Sequence, residues 1–151
     1  MSRSPVQRSD ILIHSIFSTA RQYPFINGKI EPYLYDRISK ILFDQCYSPA
    51  LVIGGGPEHV HILFALARNW SPDAVINTVK TKSAEFIRKW SPAFAWQESY
   101  AAVTVSRSVD EIEKHYILRQ KEIHQSLNYK DEFRQFLESN GIDYDEEGLW
   151  D

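Results

Sequence analysis

Two groups of side chains in this sequence have the type and spacing to do chemistry. His59 and His61 stand two positions apart in the segment HVHILFAL. If that segment is a strand, both imidazoles leave the same face and can grip one ion. Val60, Ile62 and Phe64 then point the other way, into a core, and the histidine face is expected to stay free. Spacing alone equally fits a wetted or core-satisfied pair. The second group is Tyr116, Gln120 and His124 of EIEKHYILRQKEIH, which recur at i, i+4 and i+8. That interval sets all three along one helical face, beside Ile112, Ile117 and Leu118. An amphipathic helix with a wetted Gln and His has the same pattern, and nothing in the spacing joins this helix to the histidine strand.

Other chemistries lack their parts. The GGG before Pro57 is not followed by the Lys-Ser or Lys-Thr of a phosphate loop and precedes no helix. Cys46, the only cysteine, has no partner for a disulfide or a multi-cysteine zinc site, and reads as a small buried hydrophobe of the first helix. No H-E-x-x-H, paired-carboxylate or serine-elbow motif occurs.

The elements that must position these groups follow from periodicity. A short Ile-rich run from Asp10 to Ser18 predicts a buried strand, and a loop with Pro24 and Asn27-Gly28 follows it. Leu34, Ile38, Ile41 and Leu42 predict a helix over 31–45, with Pro32 at its start. Strands are expected at 50–53 and 59–66 around the glycine turn, then a helix from Ser71-Pro72-Asp73 to about Trp90. A strand at 100–105 leads through Ser106–Ser108, which looks flexible, to a helix from 108 to about 127. Ser108 and Glu111 have capping-box spacing, and a last helix covers 130–139. Strand, helix, strand, strand, helix, strand, helix is the order of a ferredoxin-like α+β sandwich, an antiparallel sheet with helices on one face.

The 151 residues, 43% apolar, suit one domain spanning 1–151. No apolar run is long enough for a membrane span or signal peptide, and the cytoplasm is the expected location. The net charge of −3 argues against a polyanionic partner until its distribution is considered: positions 138–151 form an acidic tail, and the first 137 residues carry +3. Lys80, Lys82, Arg88 and Lys89 face only Glu85 within VKTKSAEFIRKW, a basic stretch that could meet a DNA backbone or be a solvated helix face.

Four stretches together resemble one family, the single-tyrosine HUH transposases of the insertion sequence 200/605 type. LIHSIFSTARQYPFI is similar to its first strand and following loop, and GGGPEHVHILFAL to its P-D-H-V-H-L-L strand. FAWQESYAAVTVSRS is similar to the segment before the catalytic helix, and KHYILRQKEIH to the helix bearing the nucleophile. The tail NGIDYDEEGLWD also resembles the family's end. The resemblance implies a DNA transposase that cleaves and rejoins single-stranded DNA through a 5′-phosphotyrosine. Tyr116 would be the nucleophile, and His59, His61 and Gln120 the ligands of Mg²⁺ or Mn²⁺. Glu58 stands where the family usually has Asp. His124 is carried as a supporting residue only, and His14 is assigned no role.

The resemblance further implies hairpin-bearing DNA ends as substrate and a homodimer in which one subunit's tyrosine helix can serve the other's histidines. Tyr23, Phe25, Trp96 and Tyr100 are candidates for base stacking. Two other readings share these residues: a domesticated nucleic-acid-binding domain, and an HUH nickase of another DNA substrate.

Overall fold

The computed structural model describes residues 4–5 and 7–150, so Asp151 of the acidic tail lies outside the described residues. Four strands, β1 (Leu12–Ser18), β2 (Ala50–Gly55), β3 (His59–Ala65) and β4 (Ala101–Val105), form one antiparallel sheet in the order β2-β3-β1-β4. This is the order of the ferredoxin-like sandwich. Two long helices cover one face: α1 (Ile30–Asp44) and α2 (Pro72–Ile87). Their apolar stripes, Leu34, Ile38, Ile41 and Leu42 on α1 and Val75, Ile76 and Val79 on α2, close on Ile13, Phe17, Val60, Ile62 and Phe64. Both helix starts are set locally. The Asn27 side chain accepts from the amides of Lys29 and Ile30, and Ser71 caps Ala74 with Pro72 at the first helical position.

The opposite face is covered too, by α3 (Asp110–Leu118), α4 (Gln120–Ile123) and α5 (Tyr129–Ser139). Ile117 of α3 packs on Leu12 and Leu63. Tyr129, Phe133 and Leu137 of α5 pack with Ile16 and Ala101. The histidine face is therefore not free: His14, His59 and His61 are all buried beneath these helices. Periodicity could not show this, because the residues that cover the sheet lie some 50 to 100 positions away.

Three local expectations are corrected. The single helix over 108–127 is broken at Arg119, whose ψ of 15° leaves the helical region and separates α3 from α4. The Ser108–Glu111 capping box does not form; Ser106 accepts from the Ser108 amide in a 3₁₀ turn at Arg107–Val109, and α3 has no side-chain cap. That turn is also fastened, since the Arg107 guanidinium forks onto both carboxylate oxygens of Asp10. The acidic tail folds back onto α5: Leu149 is buried with Tyr129 and Phe133, and its carbonyl accepts from the Gln97 amide.

The glycine turn has a function that its sequence did not disclose. A Cβ at Gly54 would lie 2.2 Å from the Ile117 carbonyl oxygen and 2.9 Å from its Cγ2. Only glycine lets α3 settle this closely against β2.

Candidate active site

β3 presents His59 and His61 on the α3–α5 side of the sheet, and the two rings lie 5.2 Å apart, edge to face. Onto them α3 brings Tyr116, α4 brings Gln120, and the turn after α4 brings His124. The four residues taken from the sequence as nucleophile and ligands thus meet in one chain. Gln120 Oε1 is 2.8 Å from His59 Nε2, and the Tyr116 ring is 5.7 Å from that of His61. His124 also belongs to the cluster: its Nε2 is 2.9 Å from Gln120 Oε1, and its ring meets that of His59 edge to face at 4.6 Å.

At the centre stands a residue the sequence reading missed, Glu132 of α5. Its side chain is 2% exposed, and one carboxylate oxygen lies 2.9 Å from His124 Nε2, 3.2 Å from His61 Nε2 and 3.4 Å from His59 Nε2. The other oxygen accepts the Tyr116 hydroxyl and the Gln120 amide. Glu132 sits one turn into α5, whose start is fixed by Asn128 capping Asp131. No local motif marks it; the only signal was a lone acid among the apolar positions Tyr129, Phe133 and Leu137, on the side of a helix that packs inward.

The protonation pattern follows from burial and pairing. Burial would raise the Glu132 carboxyl, but hydrogen bonds from His124 and His61 and the field of the imidazoles outweigh it and hold the group ionised. Burial lowers His61 to about 3 despite the neighbouring Glu132, so this ring is neutral at physiological pH. For His124 burial is overcome by the Glu132 hydrogen bond and charge, and its pKa is raised. Tyr116 is pushed above its ordinary value, by burial first and by Glu132 second, which keeps its phenol protonated in the resting protein.

The donor set fits a divalent cation. His59, His124 and Glu132 offer ligand atoms that all lie within 4.8 Å of one another. Ligands about 2.1 Å from a common ion sit about 3 to 3.5 Å from each other in tetrahedral or octahedral geometry, close to the spacings around Glu132. His59 is held at both ring nitrogens, with Glu58 Oε1 2.5 Å from Nδ1 and Gln120 Oε1 2.8 Å from Nε2, while the Gln120 amide is spent on Glu132.

The basic stretch is placed differently. α2 lies on the other face of the sheet from Tyr116. Lys80 is corrected from a DNA contact to an internal clamp: it is buried, and its ammonium donates to the carbonyls of Gln97, Glu98 and Ser99. Lys82, Arg88 and Lys89 are exposed. Of the aromatic candidates, Trp96 is wedged between Phe17 and Phe94 and Tyr100 bonds Asp73, while Tyr23 is 60% exposed. A cleft of about 400 Å³ opens beside Tyr116 and Glu132, between β4, α3 and α5.

Comparison with known proteins bears on this arrangement. A family profile described as "Transposase IS200 like" matches residues 7–120. Curated protein sequences give no match. Among solved structures, a protein from Deinococcus radiodurans R1, provisionally assigned as a transposase, superposes with a TM-score of 0.63 at 19% identity, over 78% of this chain and 95% of its own. A REP-associated tyrosine transposase bound to a REP hairpin superposes with a TM-score of 0.61 at 15% identity, over 84% of this chain and 76% of its own. At these identities the two structures speak for the fold.

Proposed function

The chain belongs to the IS200-like transposase family, and on that premise we propose that it cleaves and rejoins single-stranded DNA, with Tyr116 as nucleophile and His59, His61 and Gln120 as ligands of Mg²⁺ or Mn²⁺. The observation that carries this reading is the meeting of Tyr116, Gln120, His59 and His61 around one buried carboxylate, from elements scattered over the chain.

In the reaction the Tyr116 Oη attacks the scissile phosphorus in line. A 5′-phosphotyrosine forms, the bond to the 3′ oxygen breaks, and the leaving oxygen is protonated to a 3′-hydroxyl. Because the phosphodiester is exchanged and not hydrolysed, reversal by another 3′-hydroxyl rejoins the strand without ATP. Tyr116 holds its proton against Glu132 in the resting protein, and Glu132 is the acceptor placed to receive it when the phenol attacks. His59 and His61 both turn Nε2 into the cluster, 3.4 and 3.2 Å from the same Glu132 oxygen. A divalent ion bound there supplies Lewis-acid polarisation of the phosphate. Hairpin-bearing DNA ends are the proposed substrate, with Lys82, Arg88 and Lys89 as backbone contacts and a homodimer as the working form. Within one chain the nucleophile already reaches its own histidines, which favours cleavage in cis.

The test is to incubate the protein with labelled single-stranded oligonucleotides from its genomic flanks, with Mn²⁺, with Mg²⁺ and with a chelator, and to resolve covalent adducts on a denaturing gel. An adduct that requires metal and is lost in Tyr116→Phe supports the proposal. DNA retarded on a native gel with no adduct under any metal moves the reading to a domesticated nucleic-acid-binding domain. An adduct formed equally on strands without hairpins favours a nickase of another substrate.

A further inference from the structure

We infer that the outward side of α1 and α2 is a stacking platform for unpaired nucleotides, where Tyr33 and Trp90 offer their rings to bases and Arg37, Lys82 and Lys89 hold the phosphates between them. The inference rests on the reading above that DNA is the partner, and it names the part of the DNA that this face takes.

The rings form a ladder across two helices. Phe86, in the last turn of α2, meets Trp90 edge to face at 4.9 Å, and Trp90 lies nearly parallel to Tyr33 of α1, at 5.8 Å and 23°. Tyr33 is 62% exposed and Trp90 58%. Cations stand beside the rings. The Arg37 guanidinium sits 3.8 Å from the centre of Phe86, and the Lys89 ammonium 5.1 Å from the same ring. These two and Lys82 line a groove of about 220 Å³ between the helices, in which Glu85 is the single acid, so the lining carries a charge of +2. Helical spacing brings the groups together: Tyr33 and Arg37 are i, i+4 on α1, and Lys82, Phe86 and Trp90 follow at the same interval along α2 and the turn after it.

Large rings grouped in water and cations gathered with too few acids are each unfavourable in the resting protein, and one kind of ligand relieves both. A base covers a ring face whatever its identity, and the phosphates on either side of it neutralise the cations. A protein partner fits worse, since the cores of protein interfaces are depleted in Lys and this groove sets two lysines beside its aromatics. A duplex fits worse as well, because its bases are stacked on one another and offer only their edges in the grooves. The platform therefore selects unpaired nucleotides and reads no sequence. It lies on the sheet face away from Tyr116, so it holds a stretch of strand other than the one being cut.

The experiment uses the full chain carrying Tyr116→Phe, with a chelator, so that binding is read apart from cleavage. Fluorescence anisotropy of a short labelled oligothymidylate is followed across a salt series, in that protein and with Trp90→Ala, Trp90→Phe or Lys89→Ala added. Trp90→Ala is expected to weaken binding about five- to a hundredfold and to keep the salt slope, whereas Trp90→Phe retains most of the affinity. Lys89→Ala lowers the slope of log affinity against log salt by about 0.7. An iodouracil-bearing strand irradiated on the protein is expected to attach at Trp90 or Tyr33. A folded Trp90→Ala with unchanged affinity overturns the inference, as does a blunt duplex that binds as tightly as the oligothymidylate and is weakened as much by that substitution. A wild-type dimer that Trp90→Ala dissociates, with oligothymidylate affinity unchanged, overturns it in favour of a contact between two copies of the chain. The two readings fail separately. Binding that depends on Trp90 in a protein forming no DNA adduct sinks the catalytic reading and leaves the platform standing, whereas a metal-dependent adduct with oligothymidylate affinity indifferent to Trp90 does the reverse.

Discussion

Gly54→Ala should slow DNA cleavage while leaving every proposed catalytic side chain in place. The added methyl would sit 2.2 Å from the Ile117 carbonyl oxygen, where ordinary contact begins near 3.4 Å, so backbone must move against backbone. Restoring contact requires α3 to lift from β2 by about 1 Å, a forced overpacking that costs about 1–3 kcal/mol. For a chain of this length that lowers Tm by about 3–9 °C. Ile117 is the neighbour of Tyr116, so the proposed nucleophile moves with it. A displacement of about 1 Å from reacting geometry costs about a hundredfold in rate. The assay pairs a thermal melt with single-turnover adduct formation, and Gly28→Ala is the control because nothing lies within 4 Å of its added carbon. Adduct formation at the wild-type rate in a Gly54→Ala protein of normal Tm would refute the reasoning, since it would mean that α3 does not rest on β2 when the phenol attacks.

Other perturbations read other parts of the molecule. Leu149→Ala opens the packing between the tail and α5 and is expected to cost about 2 kcal/mol, a fall of several degrees in Tm; an unchanged melt would show the tail to be undocked in solution. Lys80 is lowered by burial to about 8, so between about pH 8 and 10.5 the unfolded chain binds more protons than the folded one at this group. Wild type should therefore gain stability relative to Lys80→Met as pH rises through that window, measured by urea midpoints; a parallel pair of curves would contradict it. Glu132→Gln removes the charge around which Tyr116, Gln120 and His124 gather, and should weaken Mn²⁺ binding and abolish the adduct; calorimetry showing wild-type affinity would place the ion elsewhere.

The parts of the site legible in the sequence are those with a local period. His59 and His61 alternate with core residues on a strand, and Tyr116, Gln120 and His124 share a helical face, so each group could be named before its partner was known. The family likeness joined them; spacing could not. What stayed hidden depends on distance along the chain or on space. Glu132 and the His14–Glu113 bond join residues 71 and 99 positions apart, and a lone acid or histidine in an apolar element has no pattern to betray its partner. Lys80 looked like one of a basic run because charge counting ignores which way a helix faces. The break at Arg119 contains neither Pro nor Gly, and local propensity gives no reason for it. Gly54 looked like turn material, whereas it makes room for another helix.

The order in which these pieces occur along the chain has a kinetic consequence. The contacts that build the site span 61, 71 and 99 residues, so they close large loops and form late in folding. The histidine strand leaves the ribosome well before Tyr116 and Glu132 exist. A growing chain thus carries its imidazoles exposed, with neither Tyr116 nor the central carboxylate of Glu132, and gains both only when the last helices dock. The assembled site is in this sense a property of the finished molecule, and appearance of the Tyr116–Glu132 contact would mark the end of folding.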